Sequence, residues 1–489
     1  MFARIVLSVI CVVASPVPIA LAQSSGTFAA TGAMITPRAS HTATLLNNGK
    51  VLIAGGVSTS LVITLNSVYP QQTALASAEI YDPSTGMFTA TGSMTAERTS
   101  HSATLLPDGR VLIAGGSADP QAPAERPLLI AEIYDPASET FTATGELVAT
   151  PYGWRPSATL LRDGRVFVAG QPTAQIYDPA TGMFAATTPY VNPAPGYMEC
   201  AVLLADGRVL LTGGGDIGGW SELYDPISDS FSPAGSMNFW GDVYTATLLT
   251  SSMVLFVGNE ENDGTPADAE VFDPAVLTFT RLPSAAADHE YAAAALLPDG
   301  SVLITGGQLP GGDGEVVSEI YTPATSTFSA AGNMVTQRHE HTATLLGDGT
   351  VLIAGGFSAW PAATSDAELY RPTVLIPAPL LFSLSGDGKG QGAVWHNTTG
   401  QLASPSSPAV AGEVLAMYTN NLIEGGVIPP QVVIGGHLAE VLYFGDAPGY
   451  PGFFQVNFRV PNGVMPGPAI PVRLTYLSRT SNEVTVALQ

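Results

Sequence analysis

The sequence predicts an all-β chain: seven four-stranded sheets closed into a ring, a seven-bladed β-propeller, followed by a small β-sandwich. Two repeating patterns and the composition carry that prediction. A segment running His41-Thr-Ala-Thr-Leu-Leu46, Asn48-Gly49, Val51-Leu-Ile-Ala-Gly-Gly56 returns at 101–116 and 341–356, with weaker copies at 156–170, 199–214, 244–258 and 292–307. In step with it, Tyr81-Asp82-Pro83 is followed seven positions on by Phe88. The same spacing joins Tyr134 to Phe141, Tyr177 to Phe184, Tyr224 to Phe231, Phe272 to Phe279 and Tyr321 to Phe328. The 489 residues include 52 glycines and 39 prolines but only 12% charged side chains, a turn-rich composition without helix-type charge pairing.

In chain order, Met1-Phe2-Ala3-Arg4, an apolar run from Ile5 and then Ala20-Leu21-Ala22 read as a secretory signal peptide over residues 1–22. Residues 23–374 are assigned to the ring. The first strand of a unit, Ala-Thr-Leu-Leu, is followed in six of the seven by Asp-Gly or Asn-Gly, residues that accept the positive φ of a tight hairpin. The second, Val-Leu-Ile-Ala, is apolar throughout, as in a sheet buried on both faces. The third carries Ala-Glu-Ile-Tyr and turns at Asp-Pro, and the fourth starts at the Phe. Four strands in about 45–50 residues make one propeller blade. The seventh Tyr, Tyr370, has no Phe after it, whereas Thr27-Phe28 through Met34 repeats the pattern of Phe88 to Met94. The N-terminal strand is therefore expected to complete the last blade and close the ring.

Past Pro372 the repeat stops, and Pro377 and Pro379 mark a linker. Residues 375–489 hold strand-like runs at 413–418, 431–434, 439–444, 453–460, 471–476 and 483–488, separated by Gly and Pro turns. That is the pattern of a small Ig-like β-sandwich.

The double glycine after an apolar strand, followed by a Tyr and a spaced aromatic, resembles the kelch family, with Phe where that family usually has Trp. Blades three and five depart from it at Ala169-Gly170 and Val257-Gly258. The resemblance implies a kelch-type propeller and no particular activity. Gly435-Gly436-His437, Ala447-Pro-Gly, Gln455-Val-Asn-Phe-Arg-Val-Pro and Ser481-Asn-Glu-Val-Thr-Val-Ala resemble an uncharacterised C-terminal domain of secreted acidobacterial proteins. The whole architecture is similar to galactose oxidase. That resemblance implies a Tyr-His pair at an inner strand, a Cys-linked Tyr and a late His around copper. Ser40-His41, Ser100-His101 and Glu340-His341 have the His without the Tyr, Tyr291-Ala292 the Tyr without the His, and His437 reads as a turn residue.

Seventeen basic residues against 41 acidic ones give a formal charge of −24, and Lys50 and Lys389 are the only lysines. This argues against nucleic acid and against an anionic membrane surface. No later segment reaches the roughly 18 apolar residues of a spanning helix, so no membrane insertion is expected after signal cleavage. Cys11 leaves with the signal and Cys200 then stands alone, without an intrachain disulfide. The expected location is secreted or extracytoplasmic, in a periplasm or at a cell surface.

Fourth-to-first and second-to-third loops open on one face of such a ring, and the Asp-Gly and Asp-Pro turns on the other. Loops on a rigid scaffold gather binding residues. The candidates there are Arg38, His41, Arg98, His101, Trp154, Glu199, Trp220, Trp240, Tyr244, His289, Tyr291, Arg338 and His341. Arg38-x-x-His41, Arg98-x-x-His101 and Arg338-x-x-His341 fall in blades that become neighbours on closure. Their histidines would either meet at a metal or repeat a hydrogen-bonding feature, and no metal, cofactor or catalytic residue is assigned. The expected function is an exported, non-catalytic binding or scaffold protein whose ligand is a glycan or an extracellular protein. The alternatives are a galactose-oxidase-like copper-radical oxidase, or a carbohydrate-active hydrolase or epimerase working through Glu199, Asp288, Glu290 and Glu340.

Overall fold

A computed structural model describes residues 26–489 except 64–67, 122–126, 149–156, 170–172, 192–197, 214–218, 239–241, 260–266 and 424. The expected signal peptide, Trp154 and Trp240 lie outside the described residues, and of Glu199 only the backbone is described. Seven four-stranded antiparallel sheets form the bulk of the fold. Their inner strands, from Thr42–Leu45 in the first blade to Thr342–Leu345 in the seventh, neighbour one another around a full circle. The second strands bury every side chain, as their unbroken apolar runs require.

The ring closes as the sequence predicts. Thr27–Ala30 pairs antiparallel with Ala367–Arg371 and sets Phe28 opposite Tyr370, as Phe88 stands opposite Tyr81. In all seven blades the spaced aromatics are cross-strand partners, with ring centroids 4.8 to 5.1 Å apart. Such pairs are worth about 1 kcal/mol each beyond the area they bury. The Tyr hydroxyl also ties blades together: Tyr81, Tyr134 and Tyr177 bond Thr31, Thr91 and Thr144 of the preceding blade at 2.9 to 3.0 Å.

The C-terminal strands form one curled sheet. Val394–His396, Val414–Thr419, Phe454–Arg459, His437–Asp446, Gln431–Ile434, Gly467–Tyr476 and Arg479–Thr480 follow in that order, and Val484–Leu488 also pairs with Gly467–Tyr476. The long strand His437–Asp446 takes part in both halves, so the sheet folds over a core that includes Leu415, Met417, Val456, Phe458, Leu474 and Val486. This unit rests on the turn face of the propeller. Thr480 Oγ1 donates to Asn47 Oδ1 at 3.1 Å, Val427 N to the Thr250 carbonyl at 3.2 Å, and Ala378 N to the Gly347 carbonyl at 2.6 Å. Asn47, Thr250 and Gly347 all sit in turns between first and second strands. Between the two units lies a cavity of about 640 Å³, walled by the inner strands and by Gln431, Leu438, Arg473 and Leu477. The loop face, at the other end of the channel, is left free of this contact.

Candidate functional site

The arginines and histidines of the repeated Arg-x-x-His motifs lie inside the wall of the ring. Arg38, Arg98 and Arg338 have no exposed surface. Each guanidinium pairs with the Glu of its own blade's third strand, Glu79, Glu132 or Glu368, at 2.6 to 2.8 Å. Each also donates to the carbonyl of the first glycine of the doublet, Gly55, Gly115 or Gly355. The same carboxylates accept backbone N–H groups from the incoming loop, at Ile35, Thr95 and Val335. In blade six His289 takes the arginine's place: Nδ1 lies 2.8 Å from the Gly306 carbonyl and Nε2 3.0 Å from Glu319. These four candidates are joined to their own blades and have no surface to offer a ligand.

His41, His101 and His341 bridge neighbouring blades. Their Nε2 atoms lie 3.1, 3.0 and 2.9 Å from the hydroxyls of Thr342, Thr42 and Thr305. Burial first, and the charges of Arg38 and Arg338 second, bring the His41 pKa down to about 3. His101 and His341 are held well below the ordinary histidine value, by burial and then by Arg98 and Arg338 respectively. All three rings are therefore neutral at physiological pH. The double glycine makes room for them. A Cβ on Gly55 would stand 2.6 Å from the Arg98 carbonyl oxygen and 2.7 Å from His101 Cε1, and Gly306 and Gly355 meet His341 and His41 in the same way.

Just ahead of each inner strand, the backbone adopts the left-handed conformation in four successive blades. Tyr291, Glu340, Ser40 and Ser100 have φ of 52°, 53°, 49° and 54°. The N–H of Glu340 donates to the Tyr291 carbonyl, that of Ser40 to Glu340, and that of Ser100 to Ser40, at 3.0 to 3.1 Å. The four residues thus make an arc of backbone hydrogen bonds around the channel mouth on the loop face. The Ser40 hydroxyl adds a bond to the Glu340 carboxylate. A non-glycine residue in this region costs of order 1 kcal/mol or more, and such strain gathers where side chains must be aimed.

A row of rings crosses the same mouth. Tyr244 and Tyr291 lie 5.0 Å apart, Tyr291 and His339 6.4 Å, and His339 and Trp360 6.5 Å with near-parallel planes. Phe357 backs the end of the row, 4.8 Å from Trp360. Trp360 itself is 53% exposed, at the tip of the hairpin formed by Phe357–Ala359 and Ala362–Ala363. Nearby in blade six, burial raises the Glu315 pKa; His289 opposes the shift, and Asp288 and Glu319 add to it.

Of the candidate residues, Tyr244 and Tyr291 come together at the mouth. Trp220 is corrected from a loop position to the first residue of the strand Trp220–Asp225, 8% exposed and packed beside Tyr190. The glycine at 213 leaves space for its indole, since a Cβ there would lie 2.3 Å from Nε1. Asp288 and Glu290 are buried, while Glu340 is half-buried at the mouth. The arc-forming role of Ser40 and Ser100 escaped the sequence reading. Its signal was positional: they stand immediately before the repeated histidines.

No protein-family model matches this chain, and no curated protein matches it. Among solved structures, it is similar to a fungal alcohol oxidase of the AA5 family in complex with copper. The identity is 16% and the TM-score 0.58, over 95% of this chain and 100% of that one. At that identity the likeness establishes a shared fold. The inner-strand histidines that the oxidase reading would offer a copper ion do not meet at one point. The three inner-strand histidines are spread over separate blade interfaces, each with Nε2 on a threonine hydroxyl. Among the described residues no three His, Cys, Asp or Glu side chains gather as a metal-holding group. Cys200 is half-buried on the inner strand Met198–Leu203, packed toward the core shared by blades four and five. His437 lies on the C-terminal unit that meets the turn face, and the expected turn position is corrected to the first residue of the strand His437–Asp446, with Nδ1 3.1 Å from the Gly435 carbonyl.

Proposed function

We propose that this chain is an exported binding protein, a kelch-type propeller that takes a glycan at the loop-face mouth of its channel. The observation that carries the reading is Trp360, exposed at the end of a supported ring row that continues through His339 to Tyr291 and Tyr244. Aromatic faces stack on the apolar faces of sugars, and the carboxylate of Glu340 with the hydroxyls of Ser40 and Ser100 suits sugar hydroxyls. The arc of left-handed residues fixes these groups before a ligand arrives, which lowers the ordering cost of binding. A glycan array should first supply the ligand. Trp360→Ala should then weaken its binding by about 1–3 kcal/mol in calorimetry while the melting temperature stays put. Unchanged affinity would move the site away from this mouth.

The second reading, a copper-radical oxidase, draws on the fold shared with the AA5 alcohol oxidase. Its test is direct: one tightly bound copper per chain and alcohol turnover after loading would establish it over the binding reading.

A further inference from the structure

We propose a second ligand site, a carbohydrate-binding face on the C-terminal unit that accepts a single chain of a neutral polysaccharide. It is independent of the loop-face reading. Four strands lie side by side here: Val394–His396, Val414–Thr419, Phe454–Arg459 and His437–Asp446. Alternation along them sends Val394, Leu415, Met417, Phe454, Val456 and Phe458 into the core. The opposite face receives Trp395, Tyr418, Gln455, Asn457 and Tyr443. Register places Trp395 opposite Ala416, Ala416 opposite Asn457, and Asn457 opposite Tyr443, a row across all four strands. The next row sets Tyr418 opposite Gln455. From the turn after the long strand, Tyr450 joins this face.

The rings are placed to be used. Trp395 and Tyr418 are 5.4 Å apart at 76°, and Tyr418 and Tyr450 6.5 Å apart at 65°. Tyr450 is 63% exposed and Tyr443 44%. Between the rings, Gln455 Nε2 donates to Asn457 Oδ1 at 2.8 Å. That bond fixes both amides and leaves Gln455 Oε1 as an acceptor and Asn457 Nδ2 as a donor, the complement of a vicinal diol. The edge-on rings form a corner and not a flat platform, which suits one soluble chain better than a crystalline surface. Neutrality follows from the same residues. The residues named on this face are uncharged, and Arg459, two positions past Asn457 on the same strand, is paired with Glu440 at 2.9 Å. A chain of net charge −24 repels polyanions.

The test is affinity electrophoresis of the full chain in gels containing hydroxyethylcellulose, glucomannan or xylan, with polygalacturonate as the anionic polymer. The expected result is retardation by at least one neutral polymer. Tyr450→Ala should weaken it about tenfold or more, as loss of a central stacking ring does, and so should the Gln455→Ala/Asn457→Ala double variant. Ile227→Ala, at an exposed turn of blade four, should leave it unchanged. No retardation by any neutral polymer, or retardation by polygalacturonate alone, overturns the proposal. So does retardation that survives Tyr450→Ala, and if it falls with Trp360→Ala instead, the glycan belongs to the propeller mouth.

Discussion

Mild acid should weaken the ring at its blade-to-blade histidines, and His41 shows by how much. Its folded pKa, about 3, lies below the unfolded value near 6.5. The unfolded chain therefore binds a proton that the folded chain refuses. The stability this neutral histidine contributes is fully present above pH 6.5 and is lost as pH falls toward 3. At pH 5 the unfolded state gains 2.3RT times the 1.5 units separating 6.5 from 5, about 2 kcal/mol for this one residue. His101 and His341 add in the same direction, for the same reason of burial. Urea unfolding of the wild type and of His41→Gln at pH 7.5 and 5.0 isolates the effect. Gln keeps a polar group near Thr342 but does not titrate. The variant should start less stable and lose about 2 kcal/mol less over that interval. Equal losses in the two proteins would mean that His41 is not a neutral, buried link, and the bridging geometry would have to be abandoned.

Two further tests address the scaffold. Removing Gly26 to Met34 strips the outer strand from the seventh blade, uncovering Tyr370; a broadened, lower melting transition is expected, and an unaltered one would refute closure by the N-terminal strand. Glu132→Ala leaves the Arg98 guanidinium buried without its carboxylate and should cost about 3–5 kcal/mol, whereas Arg98→Met with Glu132→Leu should cost clearly less, because replacing a buried pair by apolar groups removes the stranded charge. Denaturant titration separates the two outcomes.

The blades were legible because their determinants are local and periodic. Asp-Gly turns, Val-Leu-Ile-Ala runs and the Tyr-to-Phe spacing each specify a strand or a turn within a few residues, and their count fixes the ring. Six of the C-terminal strands were legible for the same reason, while the short strands Val394–His396 and Arg479–Thr480 gave too little alternation to be seen. The site was less legible because burial is set by contacts between distant residues. Arg38 and His41 read as polar loop residues ahead of an inner strand. Only the fold brings Glu79 to the one and Thr342, about 300 positions away, to the other. Trp220 misled for a related reason, since nothing local signals that Gly213 opens a pocket for it.

The candidates buried in the blades and those at the channel mouth differ in a way that follows from how repeat proteins are stabilised. A residue that returns in blade after blade has the same neighbours in each, and those neighbours are its own blade and the next one. The Arg, the Glu of the third strand, the glycine doublet and the inner histidine all return, and all are consumed by such contacts. Chemistry directed at a ligand has to use positions where the copies disagree. The residue just before the inner strand is Ser40, Ser100, Tyr291 or Glu340 in blades one, two, six and seven. Its backbone is the same in all four, held left-handed by the arc of hydrogen bonds. Constant backbone with variable side chain is a frame on which a recognition surface can be altered one blade at a time without disturbing the ring. The hairpin bearing Trp360 rises beside this frame. The C-terminal unit covers the other end of the channel at Asn47, Thr250 and Gly347 and leaves the loop face as the uncovered side.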